Sequence, residues 1–457
     1  MVSWWLQQAG PLAPAQELRD ARRADVCIVG GGFTGLWTAL EIKRVEPSLD
    51  VVVVEGDVCG TGASGRNGGF AMTFWHHFIG LERACGATEA VRLARASDDA
   101  VARIGAFCDD HGIQADYRRA GWLWTATNPA QVGAWEGTLA AIERQGERPF
   151  ERLGTDEVAA RAGSPRHLAG VFEPGSATVQ PALLVRGLLR VARMRGVQVF
   201  ERSPVVAIER AGPLTVRTDR GRVSADRVVV AMGAWASQLR ELRGAFVIVS
   251  SDMVITDPVG DLLRQSDLRD GVSISDSRLM VHYYRPAGDG RVAFGKGGGR
   301  LVHGTRIPAS FSGPSPIADE VTARLRATYS WLASTPIAAS WTGPIDRTVD
   351  GLPFFCALGR PDLVCGGGFS GNGVGPSALG GRILASMALG LDDEWAHCGL
   401  VRSPPSGLPP EPLRYLGGRV VRGAVARKER AEDADRRPST LDRALARLAP
   451  AGLVPVD

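Results

Sequence analysis

The chain has 457 residues, of which 44% are hydrophobic and 22% charged, a composition typical of a globular protein with more than one hydrophobic core. Its formal net charge of +4 lies in residues 401–457, which carry eleven Lys/Arg and seven Asp/Glu, whereas residues 1–400 carry 42 of each sign. This balance excludes a uniformly basic surface, so we expect no nucleic acid as a partner.

The cysteines and the N-terminus indicate the compartment. Seven cysteines are scattered without a CxxC pair, which argues against a disulfide framework and against a metal site. The first ten residues, MVSWWLQQAG, show neither the basic nor the apolar region of a signal peptide, and nowhere do about 18 apolar residues follow one another. We therefore predict no metal, no transmembrane segment and a cytoplasmic protein.

The first predicted elements form a βαβ unit. Two apolar strands, DVCIVG and DVVVVE, flank a helix, which is typical of a parallel sheet covered on both faces. Gly30, Gly32 and Gly35 lie between the first strand and the helix with GxGxxG spacing, and Glu55 ends the second strand. Such glycines permit a tight turn and close approach of a pyrophosphate, while the acid accepts ribose hydroxyl groups. The unit predicts a dinucleotide site.

The next segment, GTGASGRNGGF at residues 60–70, holds five glycines in eleven positions. Read alone, it fits a flexible linker as well as a backbone that approaches a ligand closely. Its place directly after the βαβ unit favours the second interpretation.

The rest of the chain alternates between two kinds of segment. Helix–strand pieces around 183–210 and 227–237, and a strand, glycine-rich turn and helix starting at DLVCGGGFSGNG, continue the nucleotide domain. Aromatic-containing strands such as GWLWTATNP and LMVHYYRPAGDGRVAFGKGGG are typical of an antiparallel sheet. We predict an α/β plus α+β fold, in which a discontinuous Rossmann-like domain contains an inserted, mostly antiparallel β-sheet substrate domain. The expected ranges are 22–80, 155–245 and 340–395 for the first domain, and 81–154 and 246–339 for the second.

A basic helical C-terminal extension, residues 401–457, is predicted after the proline-rich stretch SPPSGLPPEP. Its apolar residues fall on one helical face: Leu413, Leu416, Val420, Val421 and Ala424. Ser439 followed by Asp442 is typical of a capping box that starts a second helix. We expect these helices to dock on their own protein, with membrane-surface contact through the basic tail as the alternative.

Four motifs in this order carry a family resemblance: VCIVGGGFTGL, GASGRNGG, VVVAMGAWAS and GFSGNGVGPSALGGRI. They resemble those of the FAD-dependent amine and amino-acid oxidoreductases of the D-amino-acid-oxidase, glycine-oxidase and sarcosine-oxidase type (the DAO family), and most closely the gamma-glutamylputrescine oxidoreductase branch. The resemblance implies that the first domain binds FAD and that the protein oxidises a small-molecule amine. Hydride passes from the carbon next to nitrogen to flavin N5, water releases an aldehyde or keto product from the imine, and oxygen or another acceptor reoxidises FAD.

The resemblance also implies which residues hold FAD. The segment after the second strand wraps the pyrophosphate and the flavin ring, one strand residue contacts the adenine, and the last glycine-rich turn lies at the pyrimidine edge of the flavin. The expected FAD-binding residues are Gly30, Gly32, Phe33, Thr34, Gly35, Glu55, Gly62, Ala63, Ser64, Gly65, Arg66, Asn67, Gly68, Gly69, Val205, Gly233, Trp235, Gly368, Gly371, Asn372, Gly373 and Val374.

Departures from the family pattern bear on the substrate. Amino-acid oxidases of this type carry a carboxylate-binding arginine in W-x-G-x-R-P, and here WTGPID places Ile345 there. Sarcosine oxidases carry a phenylalanine and a carboxylate-binding lysine where this chain has Val374 and Gly375, and their flavin-linking cysteine would align near Gly343. We therefore expect noncovalent FAD and an amine whose charge or polarity lies farther from the nitrogen than in sarcosine or a simple α-amino acid.

Candidate substrate and catalytic residues lie on the strands that match the family's substrate sheet: His282, Tyr284, Arg285 and Lys296. His76 and His77 follow the glycine-rich segment at residues 60–70. Each of these six side chains could equally be a surface or core-edge residue. Two other functions stay open at this point. One is a tRNA-modifying oxidoreductase of the same superfamily acting on methylaminomethyl groups, and the other is a flavoprotein without turnover.

Overall fold

The computed structural model describes residues 3–450, so the last seven residues of the predicted extension, 451–457, lie outside the described residues. The strands are β1 (Ala21–Val29), β2 (Val51–Val54), β3 (Phe70–Ala71), β4 (Trp122–Ala126), β5 (Glu151–Leu153), β6 (Ala169–Glu173), β7 (Ala177–Thr178), β8 (Gln198–Phe200), β9 (Val205–Glu209), β10 (Leu214–Thr218), β11 (Arg222–Val230), β12 (Val247–Thr256), β13 (Ser273–Asp276), β14 (His282–Pro286), β15 (Val292–Lys296), β16 (Ile337–Arg347), β17 (Phe354–Ala357) and β18 (Leu363–Gly367). The helices are α1 (Trp4–Gln8), α2 (Phe33–Val45), α3 (Phe78–Cys85), α4 (Ala87–Asp110), α5 (Glu136–Glu143), α6 (Thr155–Arg161), α7 (Pro181–Met194), α8 (Gly260–Gln265), α9 (Ala318–Thr328), α10 (Pro376–Leu389), α11 (Leu413–Asp433) and α12 (Thr440–Ala446).

The first sheet contains the predicted βαβ unit. Its strand order is β17-β18-β11-β1-β2-β8, and β9 and β10 extend β11 as an antiparallel meander. Strand β1 pairs in parallel with β11 on one side and with β2 on the other. The four valines of β2 are all buried, because α2, α7 and α10 cover one face of the sheet and the β9–β10 meander with the segment after β11 covers the other. Helices α2 and α10 pack so closely that a Cβ atom at Gly381 would lie 2.5 Å from Trp37 Cβ.

The second sheet has the order β16-β12-β15-β14-β13-β4-β6-β5. All its neighbouring strands are antiparallel except β13 and β4, which are parallel. Its core combines apolar and aromatic side chains, including Tyr284, Phe294 and Tyr329. The chain alternates between the two sheets, so the predicted fold class, a discontinuous Rossmann-like domain with a mostly antiparallel insertion and a helical tail, is confirmed.

The strands do not follow the expected domain ranges throughout. Strand β6 and most of β16 belong to the second sheet, although the ranges 155–245 and 340–395 were expected in the first domain. The domain boundaries stay a prediction. Strands of the second sheet occur within the ranges expected for both domains. A third, two-stranded sheet of β3 and β7 connects the two parts.

The C-terminal extension docks on the second sheet through α11. Glu429 accepts a hydrogen bond from the Met280 amide at 2.9 Å, and Val425 packs with Met280 in a small apolar cluster. Ser439 is the N-cap of α12, since its hydroxyl accepts from the Asp442 amide at 3.0 Å, but the Asp442 carboxylate accepts from that hydroxyl group rather than from the Ser439 amide of a full capping box. The predicted apolar face, however, is buried only in its second half. Leu413, Leu416 and Val420 are more than half exposed, because the first half of α11 contacts the body through other residues, such as Arg414, which donates to Phe246 O at 3.3 Å, and Tyr415, whose ring packs on His303. Between residues 3 and 450, no helix is long and apolar enough to cross a membrane.

Candidate active site

A cavity of about 840 Å³ is lined by residues from both large sheets and from the three glycine-rich turns. Its volume lies in the upper part of the range usual for ligand pockets, about 300–1,000 Å³. Val205 of β9, expected at the adenine, lines the cavity, and so do Gly233, expected near the pyrophosphate, and Trp235, both in the short helix after β11. The Trp235 ring lies over the backbone of Gly62, 3.5 Å from where a Cβ atom would stand.

The turn between β1 and α2 can be built only with glycine. Gly30 has a φ of +113°, and a Cβ atom there would lie 2.4 Å from Ala231 O. A Cβ atom at Gly35 would lie 2.0 Å from Gly30 O, and one at Gly32 would lie 2.9 Å from Ser64 Oγ. Helix α2, which starts with Phe33 and Thr34 in the cavity wall, has no side-chain N-cap at Gly32. Its N-terminus therefore suits an anionic group such as a pyrophosphate.

Glu55 lies directly after β2 at the cavity wall. Its Oε2 accepts from the Gly31 amide at 2.7 Å and its Oε1 from the Asp57 amide at 3.0 Å. Burial raises the pKa of this carboxyl group above its ordinary value, and the two amides counteract that rise. A carboxylate oxygen has a second lone pair, so each oxygen can also accept from a ligand hydroxyl.

The loop at residues 60–69, here called the flavin loop, forms the next part of the wall. Gly62, Ala63, Ser64, Arg66, Asn67 and Gly68 line the cavity. Gly65 and Gly69 face the protein instead, because Cβ atoms there would lie 2.3 Å from Gly60 O and 2.2 Å from Val179 O. The guanidinium group of Arg66 is held by the protein, since it donates from Nε to Thr61 O at 2.7 Å and from Nη1 to Ser312 O at 2.8 Å.

The third glycine-rich turn precedes α10 and brings Gly371, Asn372, Gly373 and Val374 to the cavity. Gly371 has a φ of +96°, and a Cβ atom there would lie 3.4 Å from Ile345 Cδ1. Gly368 of the same turn is outside the lining, and its own Cβ atom would lie 2.6 Å from Thr348 Cγ2.

Gly375, which occupies the position of the lysine in sarcosine oxidases, packs directly against backbone. A Cβ atom there would lie 2.4 Å from Met72 O. Any side chain at this position would collide with the strand that follows the flavin loop. The missing lysine is thus matched by a site that has no space for it.

The four substrate-sheet candidates do not line the cavity. Tyr284 is buried in the second sheet, where its hydroxyl group lies 2.5 Å from His167 Nε2. His282 pairs with Asp276 at 3.1 Å, and Lys296 lies 3.6 Å from Glu320. Side chains alternate along β14, so the residue that reaches the cavity is the neighbour Tyr283.

Arg285 lies on the same side of β14 as Tyr283 but turns behind the flavin loop. Its guanidinium group donates to Gly68 O at 2.8 Å and to Val179 O at 2.6 Å. The four predicted residues are therefore not brought together. Tyr283, whose hydroxyl group lies 2.7 Å from Ser251 Oγ, was missed because the sequence pattern shows alternation but not which face meets the ligand.

The cavity wall also contains two histidines and a second arginine. Within the described part of the chain, Arg66 and Arg347 are the Lys/Arg residues of the lining, and Arg347 lies two positions after Ile345 on the same face of β16. Burial lowers the pKa of His77 to about 4, and the nearby positive charge of Arg347 contributes to that shift. His76 also has a lowered pKa, mainly from burial, and its Nε2 lies 3.2 Å from Asn372 Nδ2. Both imidazoles are therefore neutral at neutral pH.

Across residues 3–450 no group of His, Cys, Asp or Glu is arranged to hold a metal ion.

Comparisons with known proteins agree with this geometry. The sequence model of the FAD dependent oxidoreductase (DAO) family matches residues 25–387. The chain is 30% identical over 391 residues to gamma-glutamylputrescine oxidoreductase of Escherichia coli (strain K12), and the matched region covers 85% of this chain and 89% of that protein. It is 25% identical over 391 residues to glycine oxidase of Bacillus licheniformis, covering 82% of this chain and 96% of that one. Glycine oxidase from Geobacillus kaustophilus shares the fold, with a TM-score of 0.65 at 21% identity over 81% of this chain and 96% of that chain.

Proposed function

Since the chain belongs to the FAD dependent oxidoreductase (DAO) family and is an FAD-dependent oxidoreductase, we propose that it oxidises a small-molecule amine at the carbon next to the nitrogen. Bound FAD supplies the two-electron acceptor for this oxidation. The names of two relatives, gamma-glutamylputrescine oxidoreductase and glycine oxidase, support an amine as the substrate class. The chain's own residues bind FAD, orient the amine and control its protonation.

The residues present fit FAD along the whole cavity. At the dinucleotide end, no side chain fits at Gly30 or Gly35, a side chain at Gly32 would press on the Ser64 hydroxyl group, and α2 presents its N-terminus. Glu55 would accept hydrogen bonds from the ribose, and the wall around Val205 would receive the adenine. At the other end, the flavin loop and the turn at Gly371 offer backbone to a planar ring without side chains between. The adenine, ribose and flavin assignments of these residues are part of the proposal.

The protonation state of the substrate follows from the charges of the flavin end. An amine must present an unprotonated nitrogen for the oxidation to proceed. His76 and His77 are neutral there, and Arg347 is a cation in the same wall. Burial and the positive charge of Arg347 disfavour an ammonium group, so both lower the pKa of the bound amine, whereas the Asp346 carboxyl group in the same wall acts in the opposite direction.

The substrate class follows from the side chains at the expected anchor positions. Ile345 is apolar, and Gly375 is closed by Met72 O, so a carboxylate next to the amine nitrogen would find neither family anchor. The observation that carries the substrate assignment is the position of Arg347, one side chain farther along the same face of β16 than Ile345. We therefore assign to the protein an amine with an acidic or polar group held away from the reacting carbon, which Arg347 pairs with.

The test is the anaerobic rate at which candidate amines bleach the flavin absorbance. Glycine, sarcosine and D-alanine are compared with putrescine, gamma-glutamylputrescine and aminophosphonates. We expect the longer amines to reduce the flavin fastest. Fast reduction by sarcosine or D-alanine with the longer amines inert would contradict the substrate class, and no reduction by any amine would favour a flavoprotein without turnover.

A matched pair of variants separates the anchor from the general site. Arg347→Met keeps much of the side-chain volume and removes the charge, so it should raise the KM of an acidic amine by about tenfold or more without raising that of putrescine, whose distal ammonium group is repelled by the arginine. Arg324→Met removes a half-exposed arginine outside the cavity lining and serves as the control. Equal losses with acidic and non-acidic amines would remove Arg347 from the proposal.

A further inference from the structure

Helix α1 packs against the back of the flavin loop, although it precedes residue 25, where the family match begins. Its buried Trp5 donates from Nε1 to Asn67 O at 2.8 Å, and Ser3, its N-cap, donates from Oγ to Gly65 O. The α1 backbone is itself held in place, since Gln180 Nε2 donates to Trp5 O at 2.9 Å. The N-terminal segment is therefore part of the same hydrogen-bond network as the flavin loop.

We propose that α1 is a positioning element for the flavin loop, and that Trp5 fixes the loop in the conformation that receives FAD. The inference rests on the proposed placement of FAD in the cavity. It assigns a role in cofactor binding to residues that never touch the cofactor.

The argument begins with the carbonyl groups of the loop. All five consecutive carbonyl oxygens from residue 65 to residue 69 accept a hydrogen bond from outside the loop. The donors, in order, are Ser3 Oγ, Trp341 Nε1, Trp5 Nε1, Arg285 Nε and the Val179 amide. These donors come from four different parts of the chain, so the loop is held from behind at every peptide.

The amide groups face the other way. In a trans peptide the N–H group points opposite to the preceding carbonyl group. When the oxygens of Arg66 and Asn67 are held at the back, the amides of Asn67 and Gly68 are turned to the opposite side, where both residues line the cavity. Neither amide of these two half-buried residues has a hydrogen-bond acceptor among the described residues. Both can therefore donate to a ligand in the cavity.

The side chains that hold the carbonyls also hold one another. Trp5 and Trp341 pack edge to face with ring centroids 5.9 Å apart, and the Arg285 guanidinium carbon lies 5.1 Å from the Trp5 ring centroid. Trp5 is only 1% exposed. This packing is needed because a glycine-rich loop has no side chains of its own to restrict its backbone, and it loses more conformational entropy on ordering than other sequences.

Trp5 and its neighbour Trp4 provide a matched test. Trp5→Phe keeps an aromatic ring and removes only the indole N–H that Asn67 O accepts. Trp4→Phe makes the same change on the same helix, but Trp4 Nε1 has no hydrogen-bond partner in the described structure, and its ring packs under Arg291 at 4.1 Å. Apoprotein of each variant is titrated with FAD, the visible spectrum of the bound flavin is recorded, and the melting temperature of the apoprotein is measured.

We expect Trp5→Phe to bind FAD about tenfold more weakly than wild type and to change the shape of the flavin absorption band, while Trp4→Phe binds normally. A purely structural role would lower the melting temperature of the apoprotein without altering the spectrum of the flavin. If Trp5→Phe does not fold, Ser3→Ala, which removes the neighbouring donor to Gly65 O, decides the question with the same readouts.

Normal FAD affinity and an unchanged flavin spectrum in the folded Trp5→Phe protein, or in Ser3→Ala if only that variant folds, would overturn the inference. The result is distinguishable from failure of the proposed function. Wild-type protein that binds no FAD would refute the cofactor site itself, whereas wild-type protein that binds FAD but reduces no amine would leave the role of α1 standing.

Discussion

Replacing Glu55 with glutamine tests the dinucleotide end of the cavity. In the structure both carboxylate oxygens accept from backbone amides, Oε2 from Gly31 at 2.7 Å and Oε1 from Asp57 at 3.0 Å. Glutamine offers one acceptor oxygen, and its NH₂ group would face the second amide donor. Either the Gly31 amide or the Asp57 amide must therefore lose its hydrogen bond, and the proposed ribose contact would lose a charged acceptor.

The magnitude follows from these contacts. A hydrogen bond to a charged group contributes about 1.5–3 kcal/mol, roughly twice a neutral one. Losing one such bond between the carboxylate and the proposed ribose corresponds to FAD binding that is about 10–150-fold weaker. The bonds to the Gly31 and Asp57 amides lie within the protein, so weakening them lowers FAD affinity only through a less ordered turn.

The assay is titration of apoprotein with FAD, followed by quenching of flavin fluorescence. Glu46→Gln is the control. Glu46 is an exposed acid just beyond the end of α2, so its substitution removes the same charge from the same βαβ unit. FAD affinity of Glu55→Gln within about twofold of the control would show that this acid neither orders the turn nor contacts the ribose.

Three further outcomes are expected. Acid precipitation should release all flavin from the yellow protein, because no cysteine among residues 3–450 lines the cavity; colour that stays in the pellet would contradict noncovalent binding. Gly371→Val should yield folded protein with poor FAD retention and an altered flavin spectrum, because a β-branched residue at a φ of +96° is strained by about 1–3 kcal/mol and points at Ile345. A normal flavin spectrum and normal turnover would show that this turn does not contact the flavin. Burial raises the pKa of Glu429 from 4.5 to about 7, so its ionisation opposes folding increasingly between those values and fully above them. Glu429→Gln should therefore stabilise the protein against urea at about pH 8 but not below about pH 4, and a pH-independent difference would be inconsistent with a buried carboxylate.

The cofactor domain could be anticipated because its signals are local. The spacing of Gly30, Gly32 and Gly35 between two apolar strands requires one backbone geometry, and the structure shows contacts that admit no Cβ atom at the first and third of these positions. Likewise the flavin loop and the turn at Gly371 reach the same cavity, as their glycine content predicts. Such positions are recognisable because only one residue type satisfies them.

The substrate side was harder to predict because it depends on which face of a strand meets the ligand. The alternation in β14 was visible, but Tyr284 and Tyr283 are the same residue type, and only the packing of the sheets shows that Tyr283 reaches the cavity. Arg285 carried a charge that suggested a substrate partner, yet it holds Gly68 O from behind. Trp5 gave no signal, since its partner at Asn67 is 62 positions away in the chain.

The close packing of Gly375 against Met72 O limits how the specificity of this protein can be redesigned. Introducing the lysine of sarcosine oxidases there would require the backbone after the flavin loop to be rebuilt, so a single codon change cannot transplant that anchor. Ile345 is the position where such an anchor can be introduced, because its side chain already lines the cavity. A laboratory selection for activity on α-amino acids should therefore find its first improved variants at Ile345 and none at Gly375.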